Sequence, residues 1–536
     1  MTKAHFGMIG LGTMGRNFLL NIAEHGISGV GYDLDAGKRD LLLNEGAGMP
    51  VDVGSDMAEF VAKLETPRNI MMLVPAGPIV DSVIAELLPH LEHDDLIIDG
   101  GNSHYIDTDR RAADLAAKGV GFMGVGVSGG EEGARHGASI MPGGRRDFYD
   151  RIEATLQAVS AKVNGEPCVA YMGAGSAGHF VKMVHNGIEY GLMQIIAETY
   201  DYMHRVLKMS YEQMSDTFAD WNGTELNSFL VEITSEVLKK ADAETGLALV
   251  EVILDKAAQK GTGKWTSQAA MDLGVPIPTI DSAVAMRQIS SQKETRVLLA
   301  KKFGAIEIGV PTAPSPDGHE VASVEQHDQK AEIAAAAVDT VVSEHHKQNL
   351  DNRSVSEASD PVDQPDPSGR PHIASGELAG FLSELKNALV CSFIVTYAQG
   401  MSLLQTASIE LKYGLDLASI ARIWRGGCII RSALLEEMSR AFTVNPPIPN
   451  LMLDDKFADI LSKYRGDWRS ITANFSEVRI PAASLCASLA YFDALRSERL
   501  PANLIQAQRD FFGAHTYQRV DKEGTFHTPD WDDRAA

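Results

Sequence analysis

The sequence is poor in cysteine and has no long apolar run. Its four cysteines lie far apart and form no Cys-x-x-Cys pair. This excludes a disulfide framework and a cysteine-based zinc site, and it is typical of a protein of the reducing cytoplasm. No stretch of about 18 consecutive apolar residues occurs, so no membrane span is expected. The N-terminus lacks a basic segment followed by an apolar one, so we expect no signal peptide.

Positive charge is also scarce. The 536 residues include 48 Lys and Arg against 72 Asp and Glu, which gives a formal net charge of −24. Such a molecule repels nucleic acids and anionic membranes, so neither is expected as a partner. An anionic substrate would need a local cluster of basic side chains. The composition, 44% hydrophobic and 22% charged, is that of a globular protein of two to four domains on a prior of roughly 150 residues each.

The spacing of apolar residues along the sequence divides the chain into three parts. Residues 1–176 alternate short apolar runs with helical patterns, which predicts an α/β domain with a parallel sheet. The runs are Phe6–Ile9, Gly29–Tyr32, Ile70–Val74, Leu96–Ile98 and Gly121–Val127. Residues 177–500 repeat apolar positions at spacings of three and four, which predicts a large helical domain. Residues 501–536 form a C-terminal tail.

The helical part is interrupted at about 311–375. This stretch has seven prolines, twelve acidic residues and four Lys or Arg. Such a composition predicts an acidic, flexible insertion, and a solvated linker without its own function is the simplest interpretation.

A glycine motif follows the first predicted strand: Gly10-Leu11-Gly12-Thr13-Met14-Gly15. The first glycine permits a tight turn, the second lets the backbone approach a pyrophosphate, and the third lets the next helix pack on the strand. A plain glycine turn is the alternative. The strand before the motif, the helix after it and the acidic residue Asp33 at the end of the next strand favour a Rossmann-type dinucleotide site.

Asp33 bears on the choice of cofactor. A carboxylate at this position accepts hydrogen bonds from an adenosine ribose and repels a 2′-phosphate, which predicts NAD rather than NADP. No arginine follows directly, since the next residues are Leu34, Asp35 and Ala36. Lys38 and Arg39 lie close enough in sequence to keep NADP as the alternative.

Two polar loops follow strands of the predicted sheet. One is Asp99-Gly100-Gly101-Asn102-Ser103, and the other runs from Val127 to Ala134 through Ser128, Gly129 and Gly130. Each alone could be a structural glycine turn. Because loops at the carboxyl ends of parallel strands line one crevice, the two together favour a ligand site.

A third segment predicts a polar helix face. Lys182, His185, Asn186 and Glu189 are spaced at i, i+3, i+4 and i+7, so a helix brings them to one side. The face could hold a base and an acid about 10 Å apart along the helix. An ordinary solvated surface face is the alternative.

Further basic residues could neutralise an anionic substrate, although spacing alone does not show that they converge. The candidates are Lys260, Lys264, Arg287, Arg509 and His515.

Together these segments resemble 6-phosphogluconate dehydrogenase, the decarboxylating enzyme of the pentose phosphate pathway. The resemblance covers nearly the whole chain apart from about 311–375. The segments that carry it are Ile98–Ser103, Ser128–Arg135, Lys182–Tyr190, Lys260–Trp265, Trp424–Arg431 and Leu504–Tyr517.

The resemblance implies a set of roles. Lys182 would be the base that takes the C3 hydroxyl proton as hydride leaves, and Glu189 the acid that protonates C1 after CO2 is lost. The sugar acid would be bound by Asn102, Ser128, Gly129, Gly130, His185 and Asn186. The phosphate would be bound by Tyr190, Lys260, Thr262, Arg287 and Arg509, with His515 nearby. The tail would place Arg509 and His515 in the site of a partner subunit, which implies a homodimer. No metal-ligand pattern is present, and none is needed if donors stabilise the developing enolate.

The sequence departs from the family pattern at the cofactor site. Many members have Asn-Arg-Thr where this chain has Asp33-Leu34-Asp35, and a lysine where it has Pro75 after Val74. Both changes remove expected partners of a 2′-phosphate, so the prediction of NAD stands. The remaining contacts to the cofactor would come from Gly10–Gly15, Val74, Pro75 and Asn102.

Two other interpretations remain open at this point. A simpler β-hydroxyacid dehydrogenase would share the Rossmann domain and the Lys182–Asn186 helix, but Glu189, Arg287, Arg509 and His515 argue against it. An inactive nucleotide-binding scaffold is the other alternative, and the presence of both Lys182 and Glu189 argues against that.

Overall fold

A computed structural model describes residues 3–304, 306, 308–309, 375–445 and 448–531. The acidic insertion predicted at about 311–375 lies outside these residues except for Ser375, which begins a helix.

The first domain is built on a seven-stranded sheet in the order β3-β2-β1-β4-β5-β6-β7. The first six strands are parallel and β7 runs antiparallel to β6. The strands are β1 Phe6–Ile9, β2 Gly29–Tyr32, β3 Val51–Val53, β4 Asn69–Met72, β5 Leu96–Asp99, β6 Gly121–Ser128 and β7 Ser139–Gly143. Because β1 lies between β2 and β4, the connections diverge there and open a crevice at the carboxyl ends of the strands.

Helices cover both faces of this sheet, which explains why β1, β2 and β5 are buried throughout. These helices are α1 Thr13–Glu24, α2 Ala36–Glu45, α3 Met57–Ala62, α4 Pro78–Leu87, α5 Tyr105–Ala116, α6 Gly130–His136 and α7 Arg146–Val159. A short hairpin, β8 Lys162–Val163 with β9 Glu166–Pro167, precedes the second domain. The sequence analysis missed β3 and β7. β3 has only three residues, with an aspartate at its centre, and β7 contains a proline and a glycine, so neither has a clear strand pattern.

The second domain is helical in its described part. Its helices are α8 Ala177–Arg205, α9 Tyr211–Trp221, α10 Phe229–Lys239, α11 Leu249–Val252, α12 Thr262–Asp272, α13 Pro278–Ser291, α14 Lys293–Phe303, α15 Ser375–Glu410, α16 Leu417–Ile423, α17 Leu434–Val444, α18 Asp455–Glu477 and α19 Ala483–Leu495. The prediction of a Rossmann-type α/β domain followed by a large helical domain is confirmed.

Helix α8 joins the two domains because its first turns lie directly on the sheet. A Cβ on Gly178 would be 2.3 Å from the carbonyl oxygens of Gly124 and Met141. A Cβ on Gly126 would be 2.4 Å from the Cβ of Lys182. Larger side chains at Gly126 or Gly178 would therefore push α8 off the sheet, and this packing sets the height of Lys182 above β6.

Helix α15 is long and apolar enough, by length and composition, to cross a membrane. Its apolar residues between Phe381 and Ala407 are instead buried, and the helix packs on α8, α18 and α19. It is therefore the core helix of the second domain.

The C-terminal tail consists of α20 Ala502–Gly513 and a small hairpin, β10 Tyr517–Gln518 with β11 Thr525–Phe526. Its apolar side chains, including Leu504, Ile505, Phe511 and Phe512, are exposed. This chain alone therefore leaves the apolar surface of the tail uncovered.

A buried carboxylate connects α8 to α19. Glu198 accepts hydrogen bonds from the backbone N–H groups of Ser484 and Leu485, both at 2.9 Å, and from Gln194 Nε2 at 3.1 Å. Burial raises the pKa of Glu198 to about 7 against these donors, which favour the ionised form.

We expect this group to make stability depend on pH. Below its unfolded pKa of 4.5 the carboxyl group is protonated in both states. Between pH 4.5 and about 7 this group is ionised in the unfolded chain but still protonated in the folded protein, so the free energy of unfolding falls as the pH rises. The pKa difference corresponds to about 3 kcal/mol at most.

Glu198→Gln removes this pH dependence of stability. Urea unfolding of wild type and variant at pH 5.5 and 8, at one protein concentration, measures it. An identical pH dependence in both proteins would contradict the assignment.

Candidate active site

The glycine motif after β1 has the geometry of a dinucleotide site. Gly10 has a φ of 90°, and a Cβ there would be 2.6 Å from the carbonyl oxygen of Leu73. A Cβ on Gly15 would be 1.9 Å from the carbonyl oxygen of Gly10, so α1 can pack here only on glycine. A Cβ on Gly12 would meet nothing within 4 Å, and no side chain caps α1. The open space before this helix N-terminus fits a pyrophosphate.

Asp33 directly follows β2 and lies where the adenosine part of a dinucleotide would bind. Its carboxylate accepts the N–H of Leu11 at 2.8 Å and of Asp35 at 3.0 Å, and Lys38 Nζ lies 3.3 Å away. Burial alone would raise the pKa of Asp33, but these donors and the Lys38 charge lower it below its ordinary value. Leu34 is 82% exposed. Arg39 donates to the backbone oxygens of Asp33 and Leu34.

Asp99 organises the loop after β5. Its buried carboxylate accepts the N–H of Gly101 at 3.0 Å and the hydroxyl of Ser103 at 2.6 Å, and Arg111 NH1 lies 3.7 Å away. Asn102 is exposed between these two anchored residues. The loop therefore has a fixed base and an accessible amide. In the loop after the neighbouring strand β4, Val74 is half-buried and Pro75 is exposed.

The loop after β6 is held against a second glycine turn. Gly129 has a φ of 113°, and a Cβ there would be 2.5 Å from the carbonyl oxygen of Gly427. Gly130, with a φ of 61°, begins α6. Ser128 is buried, and its Oγ lies 3.2 Å from His185 Nε2. The loop thus meets the polar face of α8 directly.

The polar face of α8 is a buried network. Lys182 is 6% exposed and His185 is fully buried. Lys182 Nζ lies 3.4 Å from His185 Nδ1, and this nitrogen lies 3.1 Å from Asn186 Oδ1. Asn186 Nδ2 donates to the hydroxyl of Thr262 at 3.2 Å. The face is therefore not an ordinary solvated surface.

Burial shifts the pKa values of the two candidate catalytic groups toward each other. It lowers the pKa of Lys182 below its ordinary value, although Glu189 and Cys428 act in the opposite direction. It raises the pKa of Glu189, although Lys182 and Arg287 oppose this. The pKa of His185 is held well below its ordinary range by burial and by the Lys182 charge, so this imidazole is neutral. Burial thus favours the neutral form of each group, the amine of Lys182 and the protonated carboxyl of Glu189.

A cation lies beside Glu189. The guanidinium carbon of Arg287 is 3.5 Å from the ring centroid of Tyr190, which fixes this arginine over the end of the polar face. A Cβ on Gly263 would be 2.5 Å from the same ring, so the first turn of α12 packs tightly on Tyr190. Thr262 is buried in this turn, whereas Lys260 just before it is exposed.

The predicted tail residues are separate from this network. Arg509 is exposed, and its NH1 donates to Gln506 Oε1 at 3.1 Å. His515 is exposed against the ring of Phe512 at 5.8 Å. Their contacts in the structure lie within the tail, so this chain alone does not bring them to Lys182.

Sequence reasoning missed His179, which joins the two polar segments. Its fully buried ring lies 2.7 Å from Thr108 Oγ1, and its Nε2 lies 3.0 Å from the carbonyl oxygen of Asp99. Because that carbonyl is an acceptor, Nε2 carries the proton. His179 therefore ties the Asn102 loop to α8 one turn before Lys182. Its spacing of three from Lys182 was the available signal.

The Trp424–Arg431 segment supports the site from behind. The ring of Trp424 lies 5.6 Å from that of His185, edge to face. The Cys428 thiol donates to the carbonyl oxygen of Trp424 at 3.0 Å, and burial raises its pKa to about 12. In the part of the chain that the structure describes, no group of three or more His, Cys, Asp and Glu could hold a metal ion.

Comparison with known proteins identifies the family. The family model for the NAD binding domain of 6-phosphogluconate dehydrogenase matches residues 5–173. The model for the C-terminal domain of that enzyme matches residues 178–324 and 318–531.

Individual relatives match nearly the whole length of this chain. The NADP(+)-dependent, decarboxylating 6-phosphogluconate dehydrogenase of Bacillus subtilis (strain 168) is 44% identical over 528 residues, which cover 98% of this chain and 99% of that protein. The decarboxylating enzyme of Synechococcus elongatus is 43% identical over 530 residues, 98% of this chain and 99% of its own. A solved structure of Plasmodium falciparum 6-phosphogluconate dehydrogenase has a TM-score of 0.83 at 38% identity and covers 98% of this chain and 99% of its own. The chain belongs to the 6-phosphogluconate dehydrogenase family.

Proposed function

We propose that this protein oxidises and decarboxylates 6-phospho-D-gluconate to D-ribulose 5-phosphate and CO2, with reduction of NAD(P), in the pentose phosphate pathway. The observation that carries the proposal is that Lys182 and Glu189 lie on one face of α8, beside Ser128 at the end of β6, and that burial shifts the pKa of each toward its neutral form. Relatives named for this reaction over nearly the full chain support it.

Lys182 is the general base in this proposal. Burial favours its neutral form, so its Nζ can accept the C3 hydroxyl proton as the hydride leaves C3. NAD(P), held by Gly10–Gly15 and Asp33, supplies the hydride acceptor when bound. The protonated Lys182 then stabilises the negative charge that develops on the C3 oxygen as the C1–C2 bond breaks and C1 leaves as CO2. His185 is neutral and hydrogen-bonded, and it keeps Lys182 oriented.

Glu189 is the general acid. Burial raises its pKa, which favours the protonated carboxyl group. That proton is delivered to C1 of the enediol, the former C2 of the substrate, after CO2 is lost. Asn102, Ser128, Gly129, Gly130, His185 and Asn186 bind the sugar acid. Their placement around one crevice supports this assignment.

The phosphate subsite requires cations, since the chain as a whole is acidic. Arg287, fixed over Tyr190, supplies one, and Lys260 and Thr262 lie on the adjacent turn. We assign Arg509 and His515 to the site of a second copy, which makes the enzyme a homodimer. The exposed apolar side chains of the tail support this assembly. The four free, scattered cysteines support a cytoplasmic location.

We assign NAD as the preferred cofactor. The carboxylate of Asp33 occupies the position that a 2′-phosphate would approach, and exposed Leu34 and Pro75 offer no positive charge. Lys38 and Arg39 are already bonded to Asp33 and its backbone. The Bacillus subtilis relative is named for NADP, so the assignment rests on these local contacts.

Replacing the base should abolish turnover. Lys182→Met keeps a long side chain between β6 and α8 but removes the proton acceptor. We expect kcat with 6-phosphogluconate to fall by about a thousandfold or more, whereas the Kd of the dinucleotide, measured by fluorescence titration, stays within a factor of two to three. Retention of full turnover would refute the mechanism.

Replacing the acid should change the pH profile as well as the rate. Glu189→Gln removes the proton donor and, wherever Glu189 is ionised, the negative charge that raises the pKa of Lys182. We expect kcat to fall by about a hundredfold or more. The pKa of Lys182 falls without this anion, so the acid limb of kcat/KM moves to lower pH. An equal loss of NAD(P)H affinity and turnover would show that Glu189 is structural.

Initial rates with NAD and NADP in parallel, with CO2 release monitored, test both the reaction and the cofactor assignment. We expect a higher kcat/KM with NAD, and Asp33→Asn should raise the relative use of NADP by about tenfold as one charge repulsion is removed. Asp35→Asn is the matched control, because it removes the same charge two residues away. Asp35 itself caps α2 by accepting the Gly37 N–H at 2.8 Å. A wild-type preference for NADP would instead assign Lys38 or Arg39 to the 2′-phosphate.

A further inference from the structure

The C-terminal tail contains one buried carboxylate in an otherwise exposed segment. Asp510 is 1% exposed, whereas its neighbours Phe511 and Phe512 are 62% and 71% exposed. Its burial requires an explanation because a carboxylate loses hydration when it is buried.

Four donors replace that hydration. The Asp510 Oδ1 accepts the backbone N–H of Thr516 at 2.9 Å and lies 2.9 Å from His527 Nδ1. The Oδ2 accepts the N–H of Thr528 and the indole N–H of Trp531, both at 3.0 Å. We call these five residues the Asp510 knot. The donors come from positions 6 to 21 residues downstream, so one side chain ties the end of α20 to the rest of the tail.

The knot replaces a hydrophobic core that the tail lacks. Within α20, Asp510 is the buried residue, and the apolar side chains of the helix face outward. Burial by itself raises the pKa of Asp510, but the donors outweigh this and lower it to about 2. The carboxylate is therefore ionised at any working pH, and its hydrogen bonds are charge-assisted.

The knot also fixes the two tail residues assigned to the phosphate. Arg509 directly precedes Asp510, and His515 directly precedes Thr516, whose N–H is held by the carboxylate. Between them the chain turns through left-handed backbone at Ala514 and Thr516, with φ values of 50° and 61°. Gln506 bonds both ends of the turn, donating to the Thr516 carbonyl and accepting from Arg509. The spacing between Arg509 and His515 therefore depends on Asp510.

We propose that Asp510 is a positioning residue for substrate phosphate: it holds Arg509 and His515 in a preordered arm that enters the site of the second copy. The inference rests on the proposed function of the tail. Because the arm is ordered before it docks, less conformational entropy is lost on phosphate binding. Asp510 itself contacts neither substrate nor reacting atoms.

The test compares two charge-removing substitutions in the full-length dimer. In Asp510→Asn one carboxylate oxygen is replaced by an amide NH2, so a single acceptor oxygen remains for the four donors. The substitution should therefore open the knot. Asp521→Asn is the matched control, since Asp521 lies in the same tail and pairs only with Arg519 at 2.7 Å in the structure. The readouts are the KM for 6-phosphogluconate, the KM for the dinucleotide, kcat, hydrogen exchange of residues 502–531, and mass by light scattering.

We expect Asp510→Asn to raise the KM for 6-phosphogluconate about tenfold or more, because small misplacements of binding groups have effects of this size. The KM for the dinucleotide should change less than twofold, the protein should remain dimeric, and exchange in the tail should rise. Asp521→Asn should match wild type. An unchanged KM for 6-phosphogluconate in Asp510→Asn would overturn the proposal. A rise in KM accompanied by loss of the dimer would also overturn it, since the knot would then act on assembly.

Arg509→Met distinguishes this inference from the proposed function. If Arg509→Met raises the KM for 6-phosphogluconate and Asp510→Asn does not, the tail serves the phosphate site but the knot does not position it. If neither variant changes that KM while wild type remains active, the assignment of the tail to the phosphate site is itself wrong.

Discussion

The site depends on the close approach of helix α8 to strands β6 and β7. Gly124, Gly126 and Gly178 allow backbone and helix to meet at distances that no side chain would permit. The same contact buries Lys182 and His185 between the sheet and the helical domain. Burial of the amine lowers the pKa of Lys182, so the packing of α8 on the sheet also shifts this group toward its neutral form. Any change that lifts α8 from the sheet would restore hydration to Lys182, favour its charged form and reduce its capacity to accept a proton.

Around this contact the polar groups are anchored in pairs. Asp99 holds the backbone of the loop that exposes Asn102, and His179 connects that loop to α8. On the other side, Trp424 and the Gly427 carbonyl support His185 and Gly129. None of these partners is among the charged groups that oppose the effect of burial on the pKa of Lys182 or of Glu189. These supporting contacts therefore hold the site in place without cancelling the pKa shifts that the mechanism requires.

The anionic ends of the ligands are handled differently from the reacting centre. A pyrophosphate meets backbone N–H groups at the start of α1, where no fixed cation is needed. In the proposed mechanism, the substrate phosphate is bound by Arg287, which is fixed over Tyr190, and by the tail arginine of a second copy. An acidic chain can thus bind two phosphorylated ligands because positive charge is placed only where they contact it.

The sequence alone determined the architecture and the family. The strands β1, β2, β4, β5 and β6 and the polar face of α8 were predicted from apolar runs and from the spacing of Lys182 and Glu189, since both signals are local. The glycine motif and Asp33 likewise specified a dinucleotide site through short-range geometry. Only the tertiary structure decided that Lys182 is buried, that His179 bridges two segments 80 residues apart, and that Asp510 is the centre of the tail. Burial, and the pKa shifts that follow from it, arises from contacts between segments distant in sequence, and no periodicity within one segment records those contacts.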